Sequence, residues 1–489
     1  MSAAGRMRTA RAATAGFFAV VAGIGLIGFV GLAPQGCGGA ESKVEYPQGD
    51  AGGIVQTGAG AQVGVAEPGP DGESSGLTGA AKDAYDRGWK AWLAGDLPGA
   101  KAAFKEALDK APSSPAAHYS LGTVLDRLGD NAGAQQEFRS AFSAKADYEP
   151  ALCAYALSLA RNGHTGEAST FITDKQQKMG KSPRILTCAA DVKSLANDSA
   201  GAQQAAQDAL RIDPDYKDAM VAIARDHNRA HRTELAKYAL QAILDGFGDS
   251  SPPRDKDNAE AHLLRGLILR EQGQRQQAMV DFQAAVNKRP DMVEALIQLG
   301  AMKLEAGNVG EALPLLEGAV RFGPNNPLAH LNLGDAYRLS GRPQDAKKEF
   351  DTALSQDSSL AVAHYDLGLL YLFSPNVPGA SSDSQVSTAI KEFEAYRSMR
   401  GAKTAPGQSD DVDELLSRAK AKQAEMKNAA ATGAGGGGDA GSAAPKAGTS
   451  SSAPQPVNAP TPVSAPTPVN APAPASTPAA APKKTPKKK

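Results

Sequence analysis

The sequence is short of the residues from which catalytic and metal centres are usually built. Its 489 residues include only three cysteines, seven histidines and two tryptophans. The cysteines have no metal-binding spacing, and neither the nucleophile motif Gly-x-Ser-x-Gly nor the zinc motif His-Glu-x-x-His occurs. We therefore predict a protein that is not an enzyme, with no catalytic residue, no metal ligand and no cofactor.

A strong charge of one sign is also missing, because the formal net charge of the chain is only -1. The two ends are basic: residues 1–36 carry three arginines and no acid, and residues 429–489 carry six lysines against one aspartate. Subtracting +3 and +5 from -1 leaves -9 for residues 37–428. Since an acidic body repels a polyanion, we predict no nucleic-acid partner.

What the sequence does contain is a period. Glycine recurs every 34 residues, at Gly266, Gly300, Gly334 and Gly368. Apolar residues keep the same register behind the first three of these glycines, at Ala278, Ala312 and Ala346, then Phe282, Leu316 and Phe350, then Ala285, Ala319 and Ala353. A fixed period of this length is typical of stacked-repeat proteins.

Each unit of this period holds two amphipathic segments of about three to four turns, which predicts a helical hairpin. The recurrent small residues let two helix backbones approach closely, and the phenylalanines fill the space beside them. A single hairpin cannot bury its apolar face, so the units have to stack. Weaker copies extend the pattern back to Ala81 and forward to about residue 400.

This spacing and residue order resemble the tetratricopeptide (TPR) family, whose repeats have the same length. The resemblance implies an all-α, right-handed solenoid of about nine helix hairpins with a C-terminal capping helix. It divides the folded part of the chain into repeats 1–5 at residues 81–250, an insertion at 251–258, repeats 6–9 at 259–400 and the capping helix at 401–428.

The N-terminus has the pattern of an export signal or a membrane anchor. Three arginines precede the uncharged apolar run Phe17–Ala33. Cys37 follows a small residue, which resembles the lipobox of bacterial lipoproteins, although Pro34 stands where that family usually has leucine. Lipidation of Cys37, an uncleaved anchor and ordinary cleavage all remain open for residues 1–37. We expect an exported protein, either a lipoprotein on the periplasmic side of the outer membrane or a protein anchored in the inner membrane.

Two further segments have too few large apolar residues to fold. Residues 38–80 are Gly-rich and are predicted to form a flexible linker. Residues 429–489 are rich in Ala and Pro, which predicts a disordered tail with polyproline II character, and they end in five lysines between Lys483 and Lys489. The Lys-rich end favours contact with an acidic cell-wall polymer or with anionic lipid, and it is equally compatible with a plain solubilising tail.

In TPR proteins the first helices of the repeats line a concave groove that receives a peptide or another protein's helix. The resemblance implies contacts at the second, fifth, ninth, twelfth and thirteenth positions of a repeat, and aromatic residues and arginine dominate binding hot spots. We therefore predict partner contacts at Tyr85, Trp89, Trp92, Tyr119, Arg225, Arg229, Arg270, Arg338, Tyr365 and Phe373. Further arginines, Arg127 and Arg161, alternate with acids such as Asp126 and Asp191, which does not match a clamp for a C-terminal carboxylate.

Two cysteines and four histidines fall at defined places in the repeats. Cys153 and Cys188 lie on adjacent first helices, where a disulfide and a pair of buried thiols are both compatible with the sequence. Four histidines occupy the fourth position of their repeats and are predicted to be structural, namely His118, His262, His330 and His364.

The order of segments resembles bacterial TPR lipoproteins that assemble secretion, pilus or gliding-motility machines. The resemblance implies a scaffold that binds envelope proteins or peptides in its groove and a membrane through its N-terminus. A gliding-motility or pilus apparatus is the favoured machine. The alternative is a cell-wall accessory protein that binds polymer or regulates a wall-modifying enzyme.

Overall fold

The computed structural model describes residues 76–179, 181–377, 379–400 and 411–434. Within these residues the regular structure is entirely helical and comprises 19 helices. The chain divides into two units, residues 1–429 and 430–489, and every contact described below lies within the first unit.

In the described part of the chain, the first 18 helices pair into nine hairpins, each with a first and a second helix. The hairpins of repeats 1–5 are α1 Gly79–Leu93 with α2 Leu97–Lys110, α3 Pro115–Arg127 with α4 Asn131–Ala144, α5 Glu149–Arg161 with α6 Thr165–Lys178, α7 Pro183–Leu195 with α8 Ser199–Ile212, and α9 Lys217–Arg229 with α10 Thr233–Leu244. Those of repeats 6–9 are α11 Ala259–Glu271 with α12 Arg275–Lys288, α13 Val293–Glu305 with α14 Val309–Phe322, α15 Pro327–Leu339 with α16 Pro343–Gln356, and α17 Ala361–Phe373 with α18 Ser382–Arg400. A last helix, α19 Val412–Ala434, follows them. The predicted fold class is confirmed.

Six of the nine first helices carry the recurrent glycine, and in each of them it lies directly against a large side chain of the second helix. A Cβ atom on Gly334 would come within 2.6 Å of the Phe350 ring, and one on Gly300 within 2.6 Å of Leu316. Since real Cβ contacts are never so short, the glycine is what allows the two helices of a hairpin to pack around a fully buried phenylalanine or leucine.

The turn between the two helices of a repeat needs one residue in the left-handed region. Gly129 has φ +77° at this place, and the same position is glycine in six of the first eight repeats. In repeats 4 and 5 it is filled by Asn197 at φ 62° and His231 at φ 55°. Asparagine and histidine tolerate this conformation better than most residues, so repeats 4 and 5 keep the turn geometry without a glycine.

The regular spacing is interrupted twice. Residues 245–258 separate α10 from α11, and this loop closes on itself where the Phe247 amide donates to the Ser251 carbonyl at 2.8 Å. In repeat 9, α18 begins only at Ser382. Beyond it, Leu416 of α19 is buried in one apolar cluster with Leu370 of α17, so α19 covers the last hairpin as a capping helix does.

Four predicted segments lie wholly or partly outside the described residues. They are the signal or anchor at residues 1–37 with Cys37, the linker at 38–80 except for its last five residues, the first ten residues of the capping segment at 401–428, and the tail at 429–489 except for its first six. Among the helices that are described, none is both long enough and apolar enough to cross a membrane.

Candidate protein-binding groove

The candidate site is the face formed by the first helices of successive repeats, and most of its predicted aromatic contacts are buried between repeats. Four of the six aromatic residues are buried, namely Tyr85, Trp92, Tyr119 and Tyr365, and Trp89 is half-buried. The Tyr85 hydroxyl lies 2.9 Å from Ser120 Oγ of the next repeat. Tyr119 meets Tyr148 edge-on, with ring centroids 5.9 Å apart. These side chains join one repeat to the next, and their contact with a partner stays a prediction.

At the C-terminal end of the groove, the two predicted aromatic residues meet the capping helix differently. The Tyr365 hydroxyl donates to Asp411, next to the start of α19, at 2.6 Å. The guanidinium of Arg418 lies 4.9 Å from the centre of the Phe373 ring, which keeps 44% of its surface exposed. Phe373 is therefore the predicted aromatic residue that a partner reaches most easily.

The thirteenth position of the repeat carries exposed apolar side chains at both ends of the array. Leu93 of repeat 1 is 59% exposed, Leu339 of repeat 8 is 43% exposed, and Phe373 of repeat 9 occupies the same position. In repeats 2, 3 and 5 this position is arginine. The predicted contact list missed Leu93 and Leu339 because it was chosen for aromatic residues and arginine.

The arginines in the middle of the groove are engaged by the chain's own acids. Arg225 bridges three consecutive repeats, because it pairs with Asp191 of repeat 4 and lies 2.9 Å from Glu260 of repeat 6. Burial opposes its charge, but the two carboxylates outweigh burial and raise the pKa of Arg225. Arg225 therefore acts as a permanent cationic link along the stack.

The other predicted arginines are held in a similar way. Arg229 Nη1 donates to Ser194 Oγ at 2.6 Å, and Arg338 Nε donates to the buried Asp335 at 2.8 Å. Arg270 donates to the side chain of Gln298. Because these guanidinium groups are fixed before any partner arrives, a partner meets an ordered set of charges and loses little entropy in arranging them.

One buried polar centre was not anticipated from the sequence. The Asp226 carboxylate accepts hydrogen bonds from Ser194 at 2.8 Å, Ser199 at 2.6 Å and Gln203 at 2.7 Å, and it pairs with Arg232 at 2.9 Å. These bonds together hold the pKa of Asp226 below its usual value, although burial opposes them. A single aspartate in a polar stretch of sequence gives no indication that it will accept hydrogen bonds from several buried side chains.

Cys153 and Cys188 are both free thiols, with Cys188 buried and Cys153 half-buried. Burial, together with a hydrogen bond to Cys153, raises the pKa of the Cys188 thiol. Among the residues that the structure describes, no group of three or more His, Cys, Asp or Glu side chains is placed to hold a metal ion.

Family models of the tetratricopeptide repeat match residues 85–150, 263–327 and 303–365. The chain therefore carries tetratricopeptide repeats. No curated protein matches it.

Several solved structures are similar to this chain. The Cut9–Hcn1 hetero-tetramer of APC/C shares 14% identity over 76% of this chain and 80% of that one, with a TM-score of 0.44. YrrB, a TPR protein with an unusual peptide-binding site, shares 18% identity over 40% of this chain and 96% of its own, with a TM-score of 0.29. A TPR protein from Parabacteroides merdae shares 15% identity over 59% and 98% of the two chains, with a TM-score of 0.27.

Proposed function

We propose that this chain is a non-enzymatic scaffold of the bacterial cell envelope that binds a segment of another protein along its groove. The observation that carries the proposal is the series of exposed apolar side chains at one repeat position, Leu93, Leu339 and Phe373. Burial of a large apolar side chain beneath a partner is favourable, because it removes apolar surface from water. Three such side chains at one repeat position fit an extended partner better than a small ligand.

The fixed arginines support the same function. Arg225, Arg229 and Arg338 are each paired or hydrogen-bonded with neighbouring repeats or helix turns, so the charges of the groove alternate in sign along its length. A partner whose own charges alternate in the opposite order would bind in one alignment along the groove. Charge pairs contribute more to specificity and orientation than to affinity.

The location and the machine are inferred from the ends of the sequence. Arginines followed by an apolar run and then Cys37 support export and attachment to a membrane. A tethered interaction scaffold outside the cytoplasm fits the assembly of a gliding-motility or pilus apparatus. Labelling with a lipid precursor, compared between the wild type and Cys37→Ser, tests the attachment, and a label retained by Cys37→Ser would contradict lipidation at this residue.

Capture from envelope extract by the full chain, followed by titration of the identified protein with purified chain, tests the groove. The variant is Leu93→Asp with Phe373→Asp, and the matched control is Val280→Asp, since Val280 is 69% exposed on the second helix α12. We expect the control to bind as the wild type does and the groove variant to bind at least about tenfold more weakly. Equal binding by the two variants would contradict the groove.

The Lys-rich end of the chain favours the alternative function at the cell wall. Five lysines within residues 483–489 can attract an acidic polymer without any contribution from the groove. If this function is correct, removal of residues 453–489 abolishes sedimentation with purified wall, whereas the Leu93→Asp, Phe373→Asp variant sediments normally. The reverse result would favour the scaffold.

A further inference from the structure

The second repeat touches the sixth and seventh repeats, which are more than 160 residues away in the chain. Arg127, the last residue of α3, is only 3% exposed. Its Nη1 donates to the carbonyl oxygens of Asp291 at 3.5 Å and Phe322 at 3.4 Å, and its Nη2 lies 3.6 Å from the Asp291 carboxylate. In return, Asn325 donates to the carbonyl oxygen of Arg127 at 3.4 Å. We call these four residues the latch.

The turn glycines of the repeats give independent evidence for this contact. A Cβ atom on Gly95 would lie 2.6 Å from the side chain of Arg321, and one on Gly129 would lie 2.9 Å from Asn325. At the equivalent glycines of other repeats nothing lies within 4 Å of such an atom, and these are Gly163, Gly273, Gly307 and Gly341. Among these six turn glycines, only those of repeats 1 and 2 therefore face a neighbouring side chain.

The turn that receives Arg127 is itself firmly held. The Pro324 carbonyl accepts from His330 Nε2 at 2.9 Å and from Gln356 Nε2 at 2.8 Å. On the other side, Arg289 Nε donates to the Asp291 carboxylate at 3.0 Å. Phe322 is the last residue of α14, and the carbonyl oxygens at a helix C-terminus lack partners within the helix. Arg127 therefore supplies a cationic donor to a prepared acceptor, as a C-terminal cap does.

The latch carries an energetic cost that leaves it able to open. Burial lowers the pKa of Arg127 to about 10, although Asp291 opposes this change, so the group is still a buried cation at neutral pH. Its Nε has no hydrogen-bond partner. The contacts of the latch, at 3.4 to 3.6 Å, are longer than the usual hydrogen-bond distance of about 2.9 Å. A buried ion pair with such geometry contributes little net stability, whereas the hairpins on either side pack through apolar cores.

We propose that the latch closes the groove of repeats 1 and 2 against the turns that follow repeats 6 and 7, and that it opens and closes while the repeats stay folded. The part of the groove that it covers contains Trp92, over whose ring the Arg127 guanidinium lies at 5.3 Å. Trp92 and Arg127 occupy the twelfth and thirteenth positions of their repeats. In the closed state the chain therefore fills its own groove with a turn of its own backbone. The consequence for partner binding rests on the proposed function, whereas the latch itself does not.

A cysteine pair in the full chain tests whether the latch is closed in solution. A Cβ atom on Gly129 would lie 3.5 Å from the Cβ of Asn325, which is within the range of about 3.5–4.5 Å that a disulfide needs. We expect Gly129→Cys with Asn325→Cys to cross-link under mild oxidation, as detected by peptide mapping. The control, Gly163→Cys with Asn325→Cys, carries the same turn strain but has no neighbour within 4 Å of residue 163, and it should not cross-link. Absence of the first cross-link would overturn the proposal.

The role of Arg127 is tested by adding Arg127→Ala to the same cysteine pair. We expect the cross-linking rate to fall at least about tenfold, because the carbonyl oxygens of Asp291 and Phe322 lose their cationic donor. The matched control is Arg161→Ala, since Arg161 has the same position in repeat 3 but pairs with Asp126 of the adjacent repeat 2 at 3.0 Å, not with a distant repeat. In a chain without the two introduced cysteines, Arg127→Ala should also raise the radius of gyration. It should shift the fluorescence emission of Trp89 and Trp92, the two tryptophans of the chain. Equal rates with and without Arg127, in a chain of unchanged helical content, would overturn the proposal.

The cross-linked chain also tests the latch and the proposed function independently of each other. If the latch gates the groove, the cross-linked chain captures its partner more weakly than the wild type and recovers on reduction. Capture that is unaffected by the cross-link would overturn the gating. If neither state captures any partner, the scaffold function fails, while the cross-linking result still decides whether the latch exists.

Discussion

His118 Nδ1 lies 2.6 Å from the Glu137 carboxylate, which joins the first helix of repeat 2 to its second helix. The other ring nitrogen, Nε2, lies 2.9 Å from the carbonyl oxygen of Pro112 in the preceding turn. Because both partners are acceptors, the imidazole satisfies both only when both of its nitrogens carry a proton. His262 and His330 have the same pair of acceptors in their own repeats. At His118, a doubly protonated imidazole thus fastens the turn before repeat 2 to the hairpin of that repeat.

This arrangement predicts that repeat 2 loses stability as the pH rises. The hydrogen bond to Glu137 raises the pKa of His118, with burial opposing it. When folding raises the pKa of a histidine above its unfolded value of about 6.5, the histidine makes its full contribution to the free energy of unfolding below that value. This contribution is lost as the pH rises through the folded pKa. We expect the protection of amides in α3 and α4, relative to their intrinsic exchange rates, to fall over this range by an amount equivalent to about 0.5–1 kcal/mol after solvent screening. His118→Gln should remove this pH dependence, and a wild type whose α3 becomes more protected at higher pH would contradict it.

The carboxyl group of Asp366 also predicts a loss of stability as the pH rises, here because burial disfavours its charged form. Asp366 is 1% exposed, and neither of its side-chain oxygens has a hydrogen-bond partner. Burial, reinforced by the nearby Asp335, raises its pKa well above the usual value. The unfolded chain ionises first, so stability falls as the pH rises from about 4 through the raised pKa. We expect Asp366→Asn to stabilise the last repeats, by roughly 1–3 kcal/mol once the wild-type group is ionised, as measured by urea unfolding.

The matched control is Asp335→Asn, at the neighbouring acid. Asp335 is equally buried but pairs with Arg338, whose Nε donates to it at 2.8 Å. Removal of this charge breaks a buried ion pair with the Arg338 guanidinium, which typically costs about 3–5 kcal/mol. Two neutralising substitutions at adjacent acids should therefore change stability in opposite directions. The same sign for both would show that hydrogen-bond satisfaction does not decide the outcome here.

The repeat could be predicted from the sequence because its determinants are local. Gly334 and Phe350 are 16 residues apart, and a period of the same small and large residues is enough to indicate that they meet. The latch could not be predicted in this way, because Arg127 and Phe322 are 195 residues apart. The repeat pattern relates residues within a repeat and between neighbours, and it does not indicate a contact over that distance. The period also does not predict which groove residues are exposed to solvent. Tyr85 and Tyr119 occupy a groove position of their repeats, but the next repeat buries them.

The close packing at the repeat glycine predicts opposite results for two glycine-to-alanine changes. In Gly334→Ala the new Cβ would lie 2.6 Å from the fully buried Phe350, and we expect a loss of about 1–3 kcal/mol from overpacking. Gly310, in the first turn of α14, has nothing within 4 Å of a Cβ atom and a φ that suits any residue. Gly310→Ala should therefore stabilise by about 0.4–1 kcal/mol, because it restricts the unfolded chain. Thermal unfolding of both variants checks the pair, and a stabilising Gly334→Ala would show that the glycine is not a packing requirement.

Arg225 predicts how strongly neighbouring repeats depend on one another. It is the common partner of Asp191 in repeat 4 and Glu260 in repeat 6, and its side chain is only 12% exposed. Arg225→Ala leaves Asp191 buried without its cation, so we expect repeats 4 to 6 to lose about 3–5 kcal/mol of stability. Arg225→Lys should recover only part of this loss, because an ammonium group cannot present the planar fork of donors that reaches both carboxylates.

Hydrogen exchange resolved along the chain distinguishes this link from a general loss of folding. In Arg225→Ala, faster exchange should extend over α7, α9 and α11, while α15 and α17 keep their wild-type protection, because each repeat interacts mainly with its neighbours. The matched control is Arg211→Ala, an exposed arginine on α8 that pairs only within its own helix with Asp208, and it should change protection little. If Arg225→Ala loosened α9 alone, the three repeats would be coupled through their apolar contacts rather than through this guanidinium. In that case the alternating charges of the groove would be free to serve a partner.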